Sequence, residues 1–215
     1  MNALVVVAVL LVGMGLGFVV RVLDVAFCEE QPPLHGSVGM LLPVVSGAAA
    51  TAACAVELFA YSADTVTALC WSLACWTCFI ACLTDLDRRI VSNWLVLVAL
   101  LVAVLLVAAQ VWANPDSMRG VLATSAAGAL TGGVSLLLCR IVTRGGVGAG
   151  DIKLYFVLGL LLGFRGLFNV LLYGMLVAFV YCLFLLATRR KKLNDQLPLA
   201  PFSLIGVVAC ICLGA

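Results

Sequence analysis

The chain has 215 residues, of which 65% are hydrophobic and 10% are charged, and its formal net charge is +2. Soluble domains are about 45–50% apolar and about 25% charged, so this composition excludes a water-soluble enzyme and a disordered segment. The small net charge gives no reason to expect a nucleic-acid partner. With a mean hydropathy of +1.25, the sequence predicts a membrane protein that crosses the bilayer several times.

Apolar segments separated by polar breaks predict the membrane spans, because a helix needs about 20 apolar residues to cross a bilayer. Eight such segments predict an all-α polytopic membrane protein with about eight transmembrane helices. The sixth segment is short and is separated from the seventh by a predicted break at residues 164–166. The segments are 3–27, 38–61, 65–84, 92–113, 120–142, 152–163, 167–187 and 201–215.

The basic residues predict how the chain is oriented in the membrane. If the amino terminus lies outside, ten of the 12 Lys and Arg residues fall on the inner side, and only Arg119 and Arg165 fall outside. The positive-inside rule favours this arrangement. An even number of spans then places both termini outside. The basic run 189–192 is expected to contact anionic membrane lipid.

The cysteines indicate packing more than chemistry. Nine of the ten lie within apolar segments, where a free thiol packs as a small hydrophobic group. Cys75 and Cys78 have the C-x-x-C spacing of redox and zinc sites, but no second polar pair accompanies them. We therefore assign no metal site.

Three acidic residues at the ends of spans are candidates for function. Asp85 and Asp87 follow the third span, and Asp151 precedes the sixth, so the predicted topology brings all three to the cytoplasmic side. Two carboxylates at one depth can converge on one water molecule. Because neighbouring like charges do not both ionise easily, one keeps a proton while the other acts as a base. Hydrolysis of a peptide bond needs such a pair.

Glycines are concentrated immediately before Asp151. Glycine permits positive φ and a close approach of the backbone, which would let an extended substrate lie against this segment. Two other interpretations remain open: a plain linker for the glycines, and simple helix capping for Asp151, since a carboxylate is favoured at a helix amino end. The glycines are Gly145, Gly146, Gly148 and Gly150.

Three motifs carry a resemblance to a known family. The segment 148–154, GAGDIKL, resembles the G-x-G-D-x-K-L signature of type IV prepilin peptidases, which are membrane aspartyl proteases. The segment 84–93, TDLDRRIVSN, is similar to the family's first aspartate motif, although Ser92 stands where the family has a proline seven residues after the Asp. The segment 197–202, LPLAPF, resembles the family's P-x-x-P-F sequence before the last span.

The resemblance assigns roles to particular residues. Asp85 and Asp151 match the catalytic positions of the family, and we expect Gly148, Gly150 and Lys153 to contact the substrate. For Lys153, a side chain that extends to the membrane interface is an equally open interpretation.

The resemblance also implies a domain organisation. It is good over residues 65–215, expected to form a six-helix aspartyl peptidase core, and poor over residues 1–64, expected to form two further transmembrane helices with a short polar loop. Many family members carry a zinc-binding domain with four cysteines between their first two spans and are also methyltransferases. This loop has about ten residues and only Cys28, too few for such a zinc site. We therefore expect a short form and leave its methyltransferase activity open.

The function implied is cleavage of the leader peptide from type IV prepilin-like precursors, including those of the tight-adherence (Flp) type. The substrates of this family carry a short basic leader ahead of one hydrophobic helix. The resemblance therefore implies a prepilin or pseudopilin precursor as partner, no cofactor, and a site facing the cytoplasm in the cell (inner) membrane. The alternative is a non-enzymatic ion or solute carrier that uses paired carboxylates, whose acids would line a path through the membrane midplane.

Overall fold

A computed structural model describes residues 2–27, 36–60, 64–88, 91–187 and 199–214. Within these ranges the regular structure is helical, as predicted, and a short 3₁₀ helix at Pro115–Ser117 joins the fourth and fifth α-helices. The basic run 189–192 and most of the polar break 28–37 lie outside the described residues. The α-helices are α1 (Asn2–Phe27), α2 (Gly36–Ala60), α3 (Thr65–Arg88), α4 (Asn93–Ala113), α5 (Met118–Val142), α6 (Ala149–Ala187) and α7 (Ala200–Leu213).

Several of these helices have the length and composition of membrane spans. Four stretches in the described residues are long and apolar enough to cross a bilayer: Thr65–Leu86, Asn93–Ala113, Pro115–Val142 and Ala149–Leu185. Shorter apolar stretches occur in α1, α2 and α7. The outward faces of α4, α5 and α6 carry many large exposed apolar side chains, as expected for surfaces that meet lipid. The number of spans and the side of each terminus remain predictions.

Helix α3 lies at the centre of the bundle. In its apolar stretch 67% of the positions are buried, against 17–28% in the other three long stretches, and it contacts α1, α2, α4, α6 and α7. The Trp76 indole Nε1 donates a hydrogen bond to the Gly13 carbonyl oxygen at 3.1 Å, which ties α3 to α1. Helix α3 is thus held by neighbours on several sides.

Helices α5 and α6 pack backbone against backbone. A Cβ atom added to Gly128 would overlap the Gly159 carbonyl oxygen, and a Cβ added to Gly159 would overlap the Gly128 carbonyl oxygen. Small residues of this kind let membrane helices approach closely, because packing rather than water drives their association.

Helix α6 bends sharply at Gly163, which has φ 67° and ψ −176°. Twelve residues of straight helix would separate Tyr155 from Leu167 by about 18 Å, yet the Tyr155 carbonyl oxygen and Leu167 Cδ2 both lie beside Gly132. The predicted interruption between the sixth and seventh segments is therefore present, but it lies at Gly163, one residue before the predicted break at 164–166. The polar Arg165 suggested the break, but the positive φ is what glycine adopts at little cost.

Candidate active site

Asp85 lies near the carboxyl end of α3, which continues to Arg88 beyond the predicted end of the span. Its side chain is 7% exposed. The backbone N–H of Ala200, the first residue of α7, donates a hydrogen bond to Asp85 Oδ2 at 3.3 Å. The first N–H groups of a helix have no partner within the helix, so Asp85 satisfies one of them and holds the two helix ends together.

The glycine-rich loop before Asp151 forms a turn fastened to α5. The Gly145 N–H donates to the Arg140 carbonyl oxygen at 2.8 Å, and the Arg140 guanidinium Nη1 donates to the Val147 carbonyl oxygen at 2.9 Å. Arg144 and Gly145 both have positive φ, 51° and 97°. The two hydrogen bonds hold the loop against the carboxyl end of α5.

Asp151 is the third residue of α6, and its carboxylate lies beside the backbone of Gly148. A carboxylate at the third helical position that reaches back to the residue before the helix is half of a capping box. Asp151 thus lies where a capping carboxylate would lie, and helix capping stays an open interpretation. A Cβ at Gly148 would lie 3.1 Å from Asp151 Oδ2, so the glycine makes room for the carboxylate.

The second carboxylate oxygen of Asp151 has a different environment. Asp151 is 9% exposed. Its Oδ1 is buried and has no hydrogen-bond partner among the described residues. Asp151 and Asp85 lie close enough for their charges to interact. The structure therefore brings together two buried carboxylates from α3 and α6, and one of their oxygens remains open to another group.

The other predicted site residues have contacts of their own. The Lys153 ammonium donates a hydrogen bond to Asn93 Oδ1 at 2.9 Å and is exposed, so it joins the start of α6 to the start of α4. A Cβ at Gly150 would lie 2.8 Å from Val91 Cβ, so this glycine permits close packing. A role of these residues in substrate binding remains a prediction, and the side chain of Asp87 lies outside the described part.

A groove of about 640 Å³ lies between α4, α5 and α6. Its walls are mostly apolar, with Gly133 and Phe156 among the lining residues, and Asn93 and Lys153 line it as well. Two of the lining residues, Ile152 and Lys153, directly follow Asp151 in α6.

Cys75 and Cys78 are buried in α3. The Cys75 thiol contacts the Ala49 carbonyl oxygen of α2 at 3.8 Å, in agreement with a packing role. Across the described ranges, no three His, Cys, Asp or Glu side chains are grouped so that they could hold a metal ion.

Sequence reasoning missed the groups that α7 contributes. Besides the Ala200 N–H, Ser203 Oγ lies 2.7 Å from the Tyr155 hydroxyl, and both side chains are buried. One signal was present: Tyr155 follows Asp151 by four residues and so shares its helix face. A tyrosine hydroxyl buried beside that face needs a partner.

This architecture, with apolar helices of spanning length and two buried carboxylates at helix ends, defines an integral membrane protein with a candidate acid–base site. Residues 72–183, just over half of the chain, match the Type IV leader peptidase family. The chain belongs to this family, which confirms the resemblance inferred from its motifs. Asp85 and Asp151 both lie within the matched interval, and α7 lies outside it.

One characterised relative is the prepilin leader peptidase/N-methyltransferase of Bacillus subtilis (strain 168), with 36% identity over 74 residues. The aligned region makes up 34% of this chain and 30% of that protein, so the match spans less than a third of the relative's length. No solved structure matches the chain.

Proposed function

We propose that this protein is a membrane aspartyl endopeptidase that removes the leader peptide from type IV prepilin-like precursors at the cytoplasmic face. Asp85 and Asp151 are its catalytic pair. The observation that carries the proposal is the buried Oδ1 of Asp151, which has no hydrogen-bond partner in the described residues and lies near a second buried carboxylate. Such an atom lowers stability, and a role in binding a water molecule accounts for it.

The hydrogen bonds suggest which oxygen binds the water. Asp85 Oδ2 accepts the Ala200 N–H, whereas Oδ1 of Asp151 has no hydrogen-bond partner among the described residues. Oδ1 of Asp151 is therefore our candidate for the oxygen that holds the attacking water. Because two neighbouring negative charges repel each other, the two carboxylates share one proton in the reactive state.

The reaction proceeds through a tetrahedral intermediate. The ionised carboxylate takes a proton from water while the water oxygen adds to the carbonyl carbon of the scissile peptide bond, and the neutral carboxyl donates its proton to the carbonyl oxygen. When the intermediate collapses, the C–N bond breaks. The leaving nitrogen takes the proton that came from water, and the hydroxyl proton of the intermediate returns to the other carboxylate, which restores the pair.

The groove between α4, α5 and α6 is a suitable site for the hydrophobic helix of the precursor. Its walls are mostly apolar, and the two residues that follow Asp151 line it. A helix lying there would bring the peptide bond ahead of it towards the pair. In this arrangement Gly148, Gly150 and Lys153 border the path of the leader, and Lys153 is held in place by Asn93.

The test is co-expression of the chain with the prepilin-like precursors encoded beside it, followed by a gel-shift assay for cleavage. Asp151→Asn keeps the shape of the side chain and an oxygen that can still cap the helix but removes the acid. We expect cleavage by the unmodified chain and none above background by the variant. Asp116→Asn, which changes an exposed acid between α4 and α5, is the matched control and should cleave normally.

Equal amounts of the three proteins in the membrane fraction are required for this comparison. Equal cleavage by the unmodified chain and by Asp151→Asn would contradict the catalytic pair. Uncleaved precursors with the unmodified chain would count against the peptidase itself.

A further inference from the structure

The amino end of α7 contacts the catalytic pair from one side. Ala200 is fully buried, and its N–H is bonded to Asp85 Oδ2 at 3.3 Å. Pro201 lies in the first turn, and the residue before the helix, Leu199, provides no side-chain cap. The carboxylate of Asp85 therefore acts as an acceptor for the start of this helix, where the helix dipole favours negative charge. Any shift of α7 changes the position of this N–H relative to Asp85.

A second contact joins α7 to the helix that carries the other aspartate. Ser203 Oγ lies 2.7 Å from the Tyr155 hydroxyl, and the two residues are 0% and 2% exposed. Tyr155 lies one turn after Asp151 in α6, and its hydroxyl is near enough to interact electrostatically with Asp151. Ser203 lies about one turn after Ala200. The bond therefore joins two residues that each lie one helical turn beyond a group of the site: Tyr155 beyond Asp151, and Ser203 beyond the Ala200 N–H that Asp85 accepts.

The proton positions of this contact follow from its partners. Ser203 Oγ also lies 3.1 Å from the Leu199 carbonyl oxygen, and a serine hydroxyl has only one proton to donate. Both bonds form when Tyr155 donates to Ser203 and Ser203 donates to Leu199. The chain of two bonds then ends on the carbonyl directly before Ala200, which also accepts the backbone N–H groups of Phe202 and Ser203, so it joins Tyr155 to the first turn of α7.

We propose that Tyr155 and Ser203 are positioning residues for the catalytic pair, because their hydrogen bond holds the amino end of α7 against α6 and so sets the place of Asp85 relative to Asp151. This inference rests on the proposed function and adds two residues to it, one of which lies on a helix outside the interval matched by the family. Neither hydroxyl takes part in the chemical step. Their contribution is the geometry of the two carboxylates, and small errors in such geometry reduce the rate of reaction strongly.

The test is steady-state kinetics of the purified full chain in proteoliposomes, with a precursor that the unmodified chain cleaves. The variants are Tyr155→Phe, Ser203→Ala and the double variant, in which no hydroxyl is left unsatisfied. We expect each of the three to lower kcat about 10- to 100-fold while KM stays within about twofold. The double variant should resemble the single variants, because the bond between Tyr155 and Ser203 is lost in all three.

A purely structural role predicts a different pattern. Ser203→Ala leaves a buried tyrosine hydroxyl without an acceptor, whereas the double variant leaves no such group. If only stability mattered, the double variant would therefore regain the activity lost in Ser203→Ala. Such a recovery, an unchanged kcat in Tyr155→Phe, or a change confined to KM would each overturn the inference.

Tyr181→Phe is the matched control. The Tyr181 ring also packs from α6 against α7, with its centroid 5.7 Å from that of Phe202, but it lies away from the two aspartates in the chain and should leave kcat unchanged. Asp151→Asn separates the two proposals. If it is inactive while Tyr155→Phe keeps full kcat, the proposed function stands and the positioning role fails. If Asp151→Asn cleaves normally, the proposed function itself fails.

Discussion

The Asp85 carboxylate accepts a backbone N–H from a residue 115 positions further along the chain, so its orientation depends on tertiary structure rather than on its own helix. Burial at 7% exposure also means that its negative charge is poorly solvated, and such charges are kept where they have a function or a partner. Asp85 has both an N–H donor and a neighbouring carboxylate. This combination distinguishes it from an acid that only ends a helix.

The neighbouring acid provides a sharp comparison at the scale of the residue. We predict that Asp85→Ala lowers cleavage to below about a thousandth of normal, because it removes one member of a pair that acts as a unit. Asp87→Ala should keep most of the activity, since the similarity to the family's first motif assigns catalysis to Asp85. The measurement is the initial rate of precursor cleavage at equal membrane levels. The reverse pattern would shift the first catalytic position by two residues.

At the scale of the helix, the α5–α6 contact depends on two residues that have no side chains. Since α6 carries Asp151 on its first turn and Tyr155 on its second, the fit of α6 against α5 determines where both residues lie. The close approach of Gly128 and Gly159 leaves no space for a methyl group. This seam, the contact between Gly128 and Gly159, is therefore a structural requirement of the site as well as of the fold.

We predict that Gly159→Ala or Gly128→Ala destabilises the protein by about 1–3 kcal/mol, because the added methyl group forces the two backbones apart. Gly120→Ala is the matched control in α5, since a Cβ there meets nothing within 4 Å, and it should not lower stability, because Ala favours a helix more than Gly does. The measurement is the midpoint of thermal unfolding in one detergent. Equal midpoints for all three variants would show that the seam does not limit stability.

For the whole molecule, the sequence predicted the helical segments and the convergence of Asp85 and Asp151, but not how the helices are arranged. Length and apolar composition are local properties, so the bounds of α4 and α5 follow closely from the spans. In a membrane protein both the core and the lipid-facing surface are apolar, so the pattern does not indicate which helix faces which. The contacts of Ala200 with Asp85 and of Ser203 with Tyr155 join residues 115 and 48 positions apart, and no local signal connects them.

The kink in α6 is a second feature that the sequence pattern located only approximately. A break at residues 164–166 was predicted from the sequence, and the helix is interrupted at Gly163, one residue before them. The polar residues indicated the approximate position of the kink, whereas the ability of glycine to adopt a positive φ placed it at Gly163. The bend lets the second part of α6 return beside Gly132, where it supports the part that carries Tyr155.

The predicted orientation of the molecule in the membrane can be tested with reporter fusions in the loops at the two ends of α5. Arg140, Arg144 and Lys153 lie around the loop that connects α5 to α6, whereas Arg119 stands alone at the opposite end of α5. By the positive-inside rule the first group faces the cytoplasm, together with Asp151. A fluorescent protein fused after Arg144 should therefore be fluorescent, and alkaline phosphatase fused there should be inactive. Fusions after Ser117 should give the reverse result, because that loop is expected outside. Active phosphatase after Arg144 would place the carboxylates on the outer face, where a leader retained in the cytoplasm does not reach them.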